Sequence, residues 1–458
     1  MRRTGLSWFA IARLGLVQTA LGAIVVLTTS TLNRVMVVEL ALPATLPGVL
    51  VGLHYAVQVL RPRLGYGSDV GGRRTPWIVG GMLALSLGAV TAALAVALMS
   101  VQPFLGIALA VLAFTVIGGG VGAAGTSLLV LLAKQVDADR RGPAATIVWM
   151  MMIAGFVVTA TVAGHLLDPF SLTRLVAVSL GVAAAAFVLA LIAVFGIEGR
   201  PTPMPAPQQN PQSPQSPQGP QAMPPFREAI RQVWGEPRAR RFAVFVFVSM
   251  LAYSGQDLIL EPFAGTVFGL TPGESTRLSG VQHAGVFLGM LLVALACGRL
   301  ARGRLGSLMG WTVGGCIASG VVLLALAFSG FAVGSWPLRA TVFTLGVANG
   351  AFAVAAIGSM MSLVNDGRAK REGVRMGLWG AAQAIAFGLG GLLGTMAVDL
   401  LRWALAAPTS AYAMVFAGEA MLFFLAAGLA LRVRGVKDSS VAGSVHARGP
   451  GYAPVGGD

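Results

Sequence analysis

The sequence is poor in charged residues. Asp, Glu, Lys and Arg make up only 11% of its 458 residues, hydrophobic residues make up 56%, and the mean hydropathy is +0.78. A soluble domain needs about a quarter of its residues charged to cover its surface. The composition therefore excludes a soluble globular protein and indicates a chain that is embedded in a membrane.

Cysteine is nearly absent as well. Cys297 and Cys316 lie in or beside apolar runs, so they provide neither a disulfide framework nor a metal-ligand spacing. A glycine-rich dinucleotide loop, a Walker loop and the arrangement of a nucleophile triad are also missing. The sequence therefore predicts no catalytic residue, no redox cofactor and no protein-bound metal.

Long apolar runs fill most of the chain. Residues 77–133 contain no charge, a length of about twice what one bilayer crossing needs, and Gln102-Pro103 provides a turn between two crossings. The alternating strands of a membrane β-barrel are absent. The runs predict twelve spanning helices, at residues 14–38, 46–62, 77–100, 104–133, 144–167, 174–197, 241–265, 277–298, 305–330, 339–364, 374–400 and 410–431.

Basic residues are distributed unevenly between the two ends of these helices. The net charge is +15, and 27 of the 32 lysines and arginines share one side of the membrane when the N-terminus is placed inside. Cytoplasmic loops are enriched in this way. The charge therefore predicts cytoplasmic termini and contact with membrane lipid, and it does not indicate nucleic acid as a partner.

A segment rich in proline and glutamine divides the chain. Residues 199–225 hold 10 of the 24 prolines and almost no charge, which favours a disordered tether. The next residues, 226–234, place arginines between apolar residues at helical spacing, which predicts a basic amphipathic helix on the inner membrane surface. The predicted units are a six-helix bundle in 1–198, a cytoplasmic linker in 199–240, a six-helix bundle in 241–434 and a disordered cytoplasmic tail in 435–458.

The two halves repeat each other in sequence. Similar residues recur at offsets that differ by only a few positions, which indicates a duplicated six-helix unit. Three pairs lie at offsets of 229, 222 and 230 residues, namely His54 with His283, Glu39 with Glu261, and Trp149 with Trp379.

A short charged loop separates the second and third predicted helices. It reads RPRLGYGSDVGGRRTPW in residues 61–77 and contains Gly65, Asp69, Gly72, Arg73 and Arg74. The spacing of these five residues resembles the loop between helices 2 and 3 of major facilitator superfamily proteins. Glycines permit a tight turn, and Asp69 can pair with cations near a helix end of the other half. The resemblance implies a twelve-helix major facilitator fold, all-α, with two six-helix bundles and this loop as a gating motif.

Three segments together resemble one family within that superfamily. They are LNRVMVVELALPATLPG in residues 32–48, the loop in 61–77, and GQDLILEPFAGTVFGLTPGESTRLSGVQHAGV in 255–286. These segments resemble the PucC/LhaA-like family, also called the bacteriochlorophyll delivery family. The resemblance implies a protein of the cytoplasmic or intracytoplasmic membrane of a phototrophic bacterium, without enzymatic activity, that assists the assembly of light-harvesting complexes LH1 or LH2.

The implied activity is to bind bacteriochlorophyll as cargo or to deliver it to nascent light-harvesting α/β polypeptides. The reaction centre and bacteriochlorophyll synthase are further partners that the resemblance implies. Two alternatives stay open. One is a proton-coupled transporter or exporter of a small molecule, which needs ionisable residues at the bilayer midplane. The other is a pigment-free chaperone of antenna helices.

Two histidines within the predicted helices are candidates for pigment binding. His54 and His283 lie at equivalent places in the two halves, and Gln282 directly precedes the second. Neutral imidazole is a good axial ligand for a chelated metal, including the magnesium of a bacteriochlorophyll. An interhelical hydrogen bond is the structural alternative for each histidine.

Four charged residues cluster toward the outer ends of the first and seventh predicted helices. Arg34 and Glu39 are expected to pair with each other, whereas Asp257 and Glu261 are candidates for lining a cleft between the halves and meeting a polar group of the pigment. Pro262 is expected to break its helix just after Glu261 and to free backbone carbonyls there.

Overall fold

The computed structural model describes residues 6–60, 73–137, 140–197, 226–297, 307–364 and 372–445. These residues form thirteen helices. The first half holds α1 (Trp8–Glu39), α2 (Thr45–Val57), α3 (Thr75–Met99), α4 (Pro103–Gln135), α5 (Arg141–Leu166) and α6 (Leu172–Val194). The second half holds α7 (Phe226–Gly235), α8 (Pro237–Phe268), α9 (Pro272–Cys297), α10 (Leu308–Ser329), α11 (Leu338–Val364), α12 (Glu372–Leu405) and α13 (Pro408–Val445).

Twelve of these helices are apolar, as predicted. Eleven are long and apolar enough to cross a membrane, and α2 is a shorter apolar helix of 13 residues that runs into the turn Gln58–Leu60, where the described segment ends. Four of them start with proline, which needs no hydrogen bond for its nitrogen in a first turn. Pro237 is one of these, and α8 therefore begins four residues before the predicted span. The prediction followed apolar residues, and the first turn of α8 is helical but charged.

The helices pack into two bundles, each with its own apolar core. The first core takes side chains such as Leu14, Met82 and Phe114 from α1 to α6, and the second takes side chains such as Phe242 and Phe352 from α8 to α13. Helices within a bundle approach closely through glycines. At Gly285 of α9, for example, a side chain would collide with the backbone of α11.

Six short connections lie on the same face of the protein, which we call the hairpin face. They span residues 40–44, 100–102, 167–171, 269–271, 330–337 and 406–407. The opposite face, where α1 begins, is called the basic face because Arg13, Arg74, Arg140 and Arg241 lie near helix starts there.

Some predicted features lie outside the described residues or differ from the structure. Gly65, Asp69 and Gly72 of the gating motif are outside them, whereas Arg73 is exposed and Arg74 directly precedes α3. The backbone of α13 is helical to Val445, so the helix extends past residue 435, where the predicted tail starts. The apolar part of α13 ends at Val433, twelve residues before the helix itself ends. The apolar pattern therefore marks the end of the membrane span and does not mark the end of the helix.

Two π-helical turns widen α1 close to its hairpin end. They cover Leu27–Thr31 and Val35–Glu39, on either side of the α-helical turn Leu32–Arg34. A π-helical turn accommodates an additional residue and often occurs at functional sites. The polar residues Asn33 and Arg34 therefore lie in the most irregular part of the helix.

Pro262 does not break its helix, contrary to the prediction. Helix α8 continues through Pro262 to Phe268, although proline cannot donate the backbone hydrogen bond to the carbonyl of Leu258. The side-chain nitrogen Nδ2 of Asn33 in the other bundle donates to this carbonyl at 2.5 Å. A neighbouring helix thus satisfies the backbone group that proline leaves open, as is required in a membrane.

The same residues show where the two halves are equivalent. Asn33 and Pro262 each lie six residues before the ends of α1 and α8, which are Glu39 and Phe268. Glu261 lies seven residues, about two turns, before the end of α8. Glu39, in contrast, is the last residue of α1, so Glu39 and Glu261 do not occupy equivalent positions. The predicted pair Glu39 and Glu261 is therefore wrong, because it was based on residue type and the two residues lie at different distances from their helix ends.

Replacement of Asn33 by leucine should destabilise the protein by about 1 kcal/mol in detergent, because the Leu258 carbonyl loses its donor. In a Pro262→Ala background the same replacement should cost less than half as much, because the alanine N–H then bonds to that carbonyl. Chemical denaturation of the four proteins of this double-mutant cycle measures the coupling.

Asn349→Leu provides the matched control. Asn349 is also fully buried and accepts a hydrogen bond from Ser319, but both lie within the second bundle. Its cost should be the same with and without Pro262. Equal costs for Asn33→Leu in the two backgrounds would contradict the role of Asn33.

Candidate functional site

A carboxylate of the second bundle caps the start of α2 in the first bundle. Asp399, near the hairpin end of α12, accepts hydrogen bonds from the backbone nitrogens of Ala44 (3.0 Å) and Thr45 (2.7 Å) and from the Thr45 hydroxyl (2.7 Å). The first N–H groups of a helix have no intrahelical partner and attract negative charge. We call this contact the α12 clamp, since it joins the bundles on the hairpin face.

A second carboxylate joins the bundles from the opposite direction. Asp168, just after α5, accepts a hydrogen bond from the Thr271 hydroxyl at 2.9 Å and forms an ion pair with Arg277 of α9 at 3.1 Å. Arg277 also donates to the backbone carbonyl of Gly164 at 3.2 Å. Asp168 and Asp399 are 231 residues apart, close to the offset of the histidines, so this α5 clamp is the repeat of the α12 clamp.

A layer of hydroxyl groups lies between α1 and the second bundle. Ser30 contacts Ser279 at 3.4 Å and Thr31 contacts Thr276 at 3.1 Å, oxygen to oxygen. Glu261, only 1% exposed, has the hydroxyls of Ser30, Ser275 and Ser279 around its carboxyl group and lies within electrostatic reach of Arg34. Glu261 thus lies inside the contact between the bundles rather than on an open cleft surface.

Arg34 is buried where the two bundles meet. Its guanidinium forms an ion pair with Glu39, as their spacing suggests, and Nη2 donates to the carbonyl of Leu270 at 2.6 Å. Only 2% of Arg34 is exposed, so the loss of Glu39 would deprive a buried charge of its ion pair in an apolar environment.

Further from the hairpin face, side chains where the bundles face each other are only partly buried, and we call the space that exposes them the gap. Tyr55 of α2 and Tyr253 of α8 both contact the ring of Phe387 in α12, with centroid distances of 5.5 and 5.9 Å. Asp257 lies one turn from Tyr253 and accepts a hydrogen bond from Gln282 at 3.3 Å. Both bundles contribute to this aromatic and acidic lining.

His283 lies beside the gap on the side of α5. Its Nδ1 is 2.8 Å from the Ser279 carbonyl, which can only accept, so Nδ1 carries the proton and Nε2 carries a lone pair. The ring meets Phe156 of the first bundle edge to face at 4.8 Å. Apolar side chains from α5 and α9, including Met152 and Met290, pack next to Phe156. A neutral imidazole with an accepting nitrogen in apolar surroundings can ligate a chelated metal.

His54 has a different environment. It is 2% exposed, its Nε2 is 2.8 Å from the side-chain nitrogen of Gln58, and its backbone carbonyl lies against Gly118 of α4. These contacts lie within the first bundle. The structure therefore brings Asp257, Gln282 and His283 together near the gap, but places His54 in a bundle interior.

Glu419 of α13 was missed by the sequence reasoning. It is 6% exposed, and its carboxyl group packs directly on Gly255 of α8 and near Gly394 of α12. Asp257, His283 and Glu419 each lie eleven residues, about 16 Å, from the hairpin end of their helices, which is the middle of a membrane. The signal was visible, because Glu419 is the only charged residue between 403 and 431.

Within the described segments, no three His, Cys, Asp or Glu residues lie close enough together to hold a metal ion. What the site can do is bind. It offers aromatic rings, one accepting imidazole nitrogen, a carboxyl group and an amide around a gap between two bundles.

Comparison with known proteins identifies the family. The family model described as PUCC protein matches residues 31–437, which is most of the chain. The chain belongs to the PUCC protein family. A relative from Rhodobacter capsulatus named "Bacteriochlorophyll synthase 44.5 kDa chain" is 52% identical, over 93% of this chain and 96% of that protein. "Protein PucC" of Cereibacter sphaeroides is 28% identical, over 91% of this chain and 90% of its own.

Solved structures with the same fold are transporters of the major facilitator type. The crystal structure of a bacterial homologue of the human lysosomal transporter Spinster, inward-facing and unoccupied, aligns with a TM-score of 0.64 at 17% identity, covering 93% of this chain and 98% of that one. A mutant of the nucleoside transporter NupG aligns with a TM-score of 0.63 at 14% identity, covering 92% and 99%. At these identities the likeness confirms the predicted fold and carries no information on cargo.

Removal of either clamp should loosen the hairpin face. Asp399→Ala leaves N–H groups of α2 without their acceptor, and Asp168→Ala removes the ion pair of Arg277, so each should destabilise the protein by about 1–2 kcal/mol. A cysteine introduced at the buried Thr276 should then react faster with a thiol reagent than in the protein with intact clamps.

Asp137→Ala is the control, because Asp137 is exposed on the basic face and its ion pair among the described residues is a long one, 3.9 Å to Arg140. It should change neither stability nor labelling. Unchanged labelling of position 276 in both clamp variants would show that the clamps do not hold the bundles together.

Proposed function

We propose that this protein is an assembly factor for light-harvesting complexes LH1 or LH2, which binds bacteriochlorophyll and delivers it to nascent antenna α/β polypeptides. The observation that carries the proposal is His283, a neutral imidazole at mid-membrane beside a gap between two bundles. Membership of the PUCC protein family and the name of the 52% identical relative point to the same pigment.

The lining of the gap suits a large flat cargo with polar edges. Phe156, Tyr55 and Phe387 offer ring faces and edges, which favour stacking with an aromatic macrocycle. Gln282 and Asp257 offer polar atoms for peripheral carbonyl groups. His283 rather than His54 is the preferred axial ligand, since His54 is enclosed by its own bundle.

The proposed activity is binding without covalent chemistry. The word synthase belongs to the name of the Rhodobacter capsulatus relative, and neither the motifs nor the described residues supply a nucleophile or metal set for a synthase reaction. The antenna polypeptides, the reaction centre and bacteriochlorophyll synthase stay proposed partners.

His283→Ala should reduce the bacteriochlorophyll that co-purifies from pigment-producing cells by at least about tenfold, because it removes the axial ligand. His54→Ala should reduce it much less, and His165→Ala, on the exposed hairpin face, should leave it unchanged. The ratio of pigment absorbance to protein measures this, with a thermal unfolding curve to confirm that each variant is folded.

Bound pigment at the wild-type level in His283→Ala would remove the proposed ligand. Absence of any co-purifying pigment in the wild type, together with normal antenna assembly in the His283→Ala strain, would favour the pigment-free chaperone instead.

We further propose that the basic face is cytoplasmic, in agreement with the positive-inside rule. A membrane-impermeant maleimide added to intact cells should then label a cysteine at Ser335, which is exposed on the hairpin face, but not one at Asp137 on the basic face. Both variants need a Cys297→Ser background, whereas Cys316 is fully buried. Labelling at 137 alone would reverse the orientation.

A further inference from the structure

Glu419 is a buried charge-bearing group of the second bundle, and no cation forms an ion pair with it among the described residues. Neither of its carboxyl oxygens has a hydrogen-bond partner among the described residues, and it is 94% buried about halfway along the spanning part of α13, Pro408–Val433. A side chain at Gly255 would collide with the carboxyl group, and Gly394 lies beside it, so these two glycines form a slot that fits it. An ionised carboxylate without partners at this depth is strongly disfavoured.

The titratable group that faces Glu419 is another acid. Asp257 of α8 lies two residues from Gly255, on which the Glu419 carboxyl group packs, and has the neutral amide of Gln282 as its own partner. From α12, the neighbour is Gly394, whereas Asp399 of that helix is occupied in its clamp. Along α10, which also packs on α13, Cys316 is the only titratable residue.

Tyr253 is a further titratable residue of α8 near this pair. Its electrostatic partners are Asp257 and Tyr55, neither of which is a cation. No lysine, arginine or histidine in the described part of the chain forms an ion pair with Asp257 or Glu419. Two neighbouring carboxyl groups in a site of low dielectric constant, with no cation between them, cannot both be ionised.

We infer that Glu419 and Asp257 form a proton-binding site, in which Glu419 holds a proton while it occupies its glycine slot. Asp257 is partly exposed at the gap and is the entry group. When Glu419 is ionised and outside its slot, a hydronium ion in the gap gives its proton to the Asp257 carboxylate and leaves as water. The proton then passes to Glu419, which enters the slot. The charge of the pair changes from −2 to −1, and no other reactant is needed.

Release of this proton has a mechanical consequence. An ionised Glu419 needs water or a donor, and its glycine slot offers neither. It must therefore leave the slot, which changes the packing of α13 on α8 and α12. Proton binding is thereby coupled to the arrangement of the second bundle, which is a property beyond pigment binding and independent of the cargo.

Infrared difference spectroscopy on purified, pigment-free protein tests this directly. At neutral pH, the wild type should show the C=O stretching band of a protonated carboxylic acid, and Glu419→Gln should lack that band. Asp137→Asn, which changes an exposed carboxylate, should keep it. A band of equal size in Glu419→Gln, or no such band in the wild type, would overturn the inference.

Asp257→Asn tests the pairing and covers the case in which Glu419→Gln does not fold. Without the negative charge of Asp257, Glu419 should ionise more readily, so the band should disappear at a pH lower by at least about one unit. An unchanged titration would show that the two carboxyl groups do not act as a pair. Neither experiment uses bacteriochlorophyll, so a negative result would leave the pigment proposal in place. Likewise, failure of the pigment-binding test would leave the proton-binding site in place.

Discussion

A hydrogen bond that a proline makes necessary joins the two bundles through α1 and α8. In a membrane, a backbone carbonyl without a partner is costly, and Pro262 leaves the carbonyl of Leu258 in that state. Asn33 of the other bundle supplies the donor. The helices α1 and α8 are thus held in one register at their hairpin ends, and the hydroxyl layer around Glu261 follows from that register.

The two clamps lie at repeated positions because the six-helix unit is duplicated, but the partners of the two carboxylates differ. Asp168 and Asp399 occupy repeated positions and each reaches a helix start in the opposite bundle. One clamp uses an arginine, whereas the other uses only backbone N–H groups and a hydroxyl. A carboxylate at a helix start is favoured in either form, so the repeat could change its partners and keep its geometry.

Much of the fold could be predicted from the sequence, because membrane insertion constrains composition. Span number, bundle number and the distribution of arginines follow from apolar runs and charges. The site was harder, since a sequence shows that Glu261 is in a helix but not that it faces three hydroxyls of two helices. Glu419 was visible and was overlooked. Pro262 was interpreted locally, although a donor from a distant helix decides its effect.

The π-helical turns of α1 fix more than local shape. Each π-helical turn contains one residue more than an α-helical turn. The side chains after such a turn therefore point in directions different from those that a regular α-helix would give them. Asn33 and Arg34 lie between the two turns, and both side chains reach α8, at Leu258 and Gly265. A relative lacking one residue there would present a different side of α1 to its partner bundle. Length, as much as residue identity, is therefore constrained in this stretch of the chain.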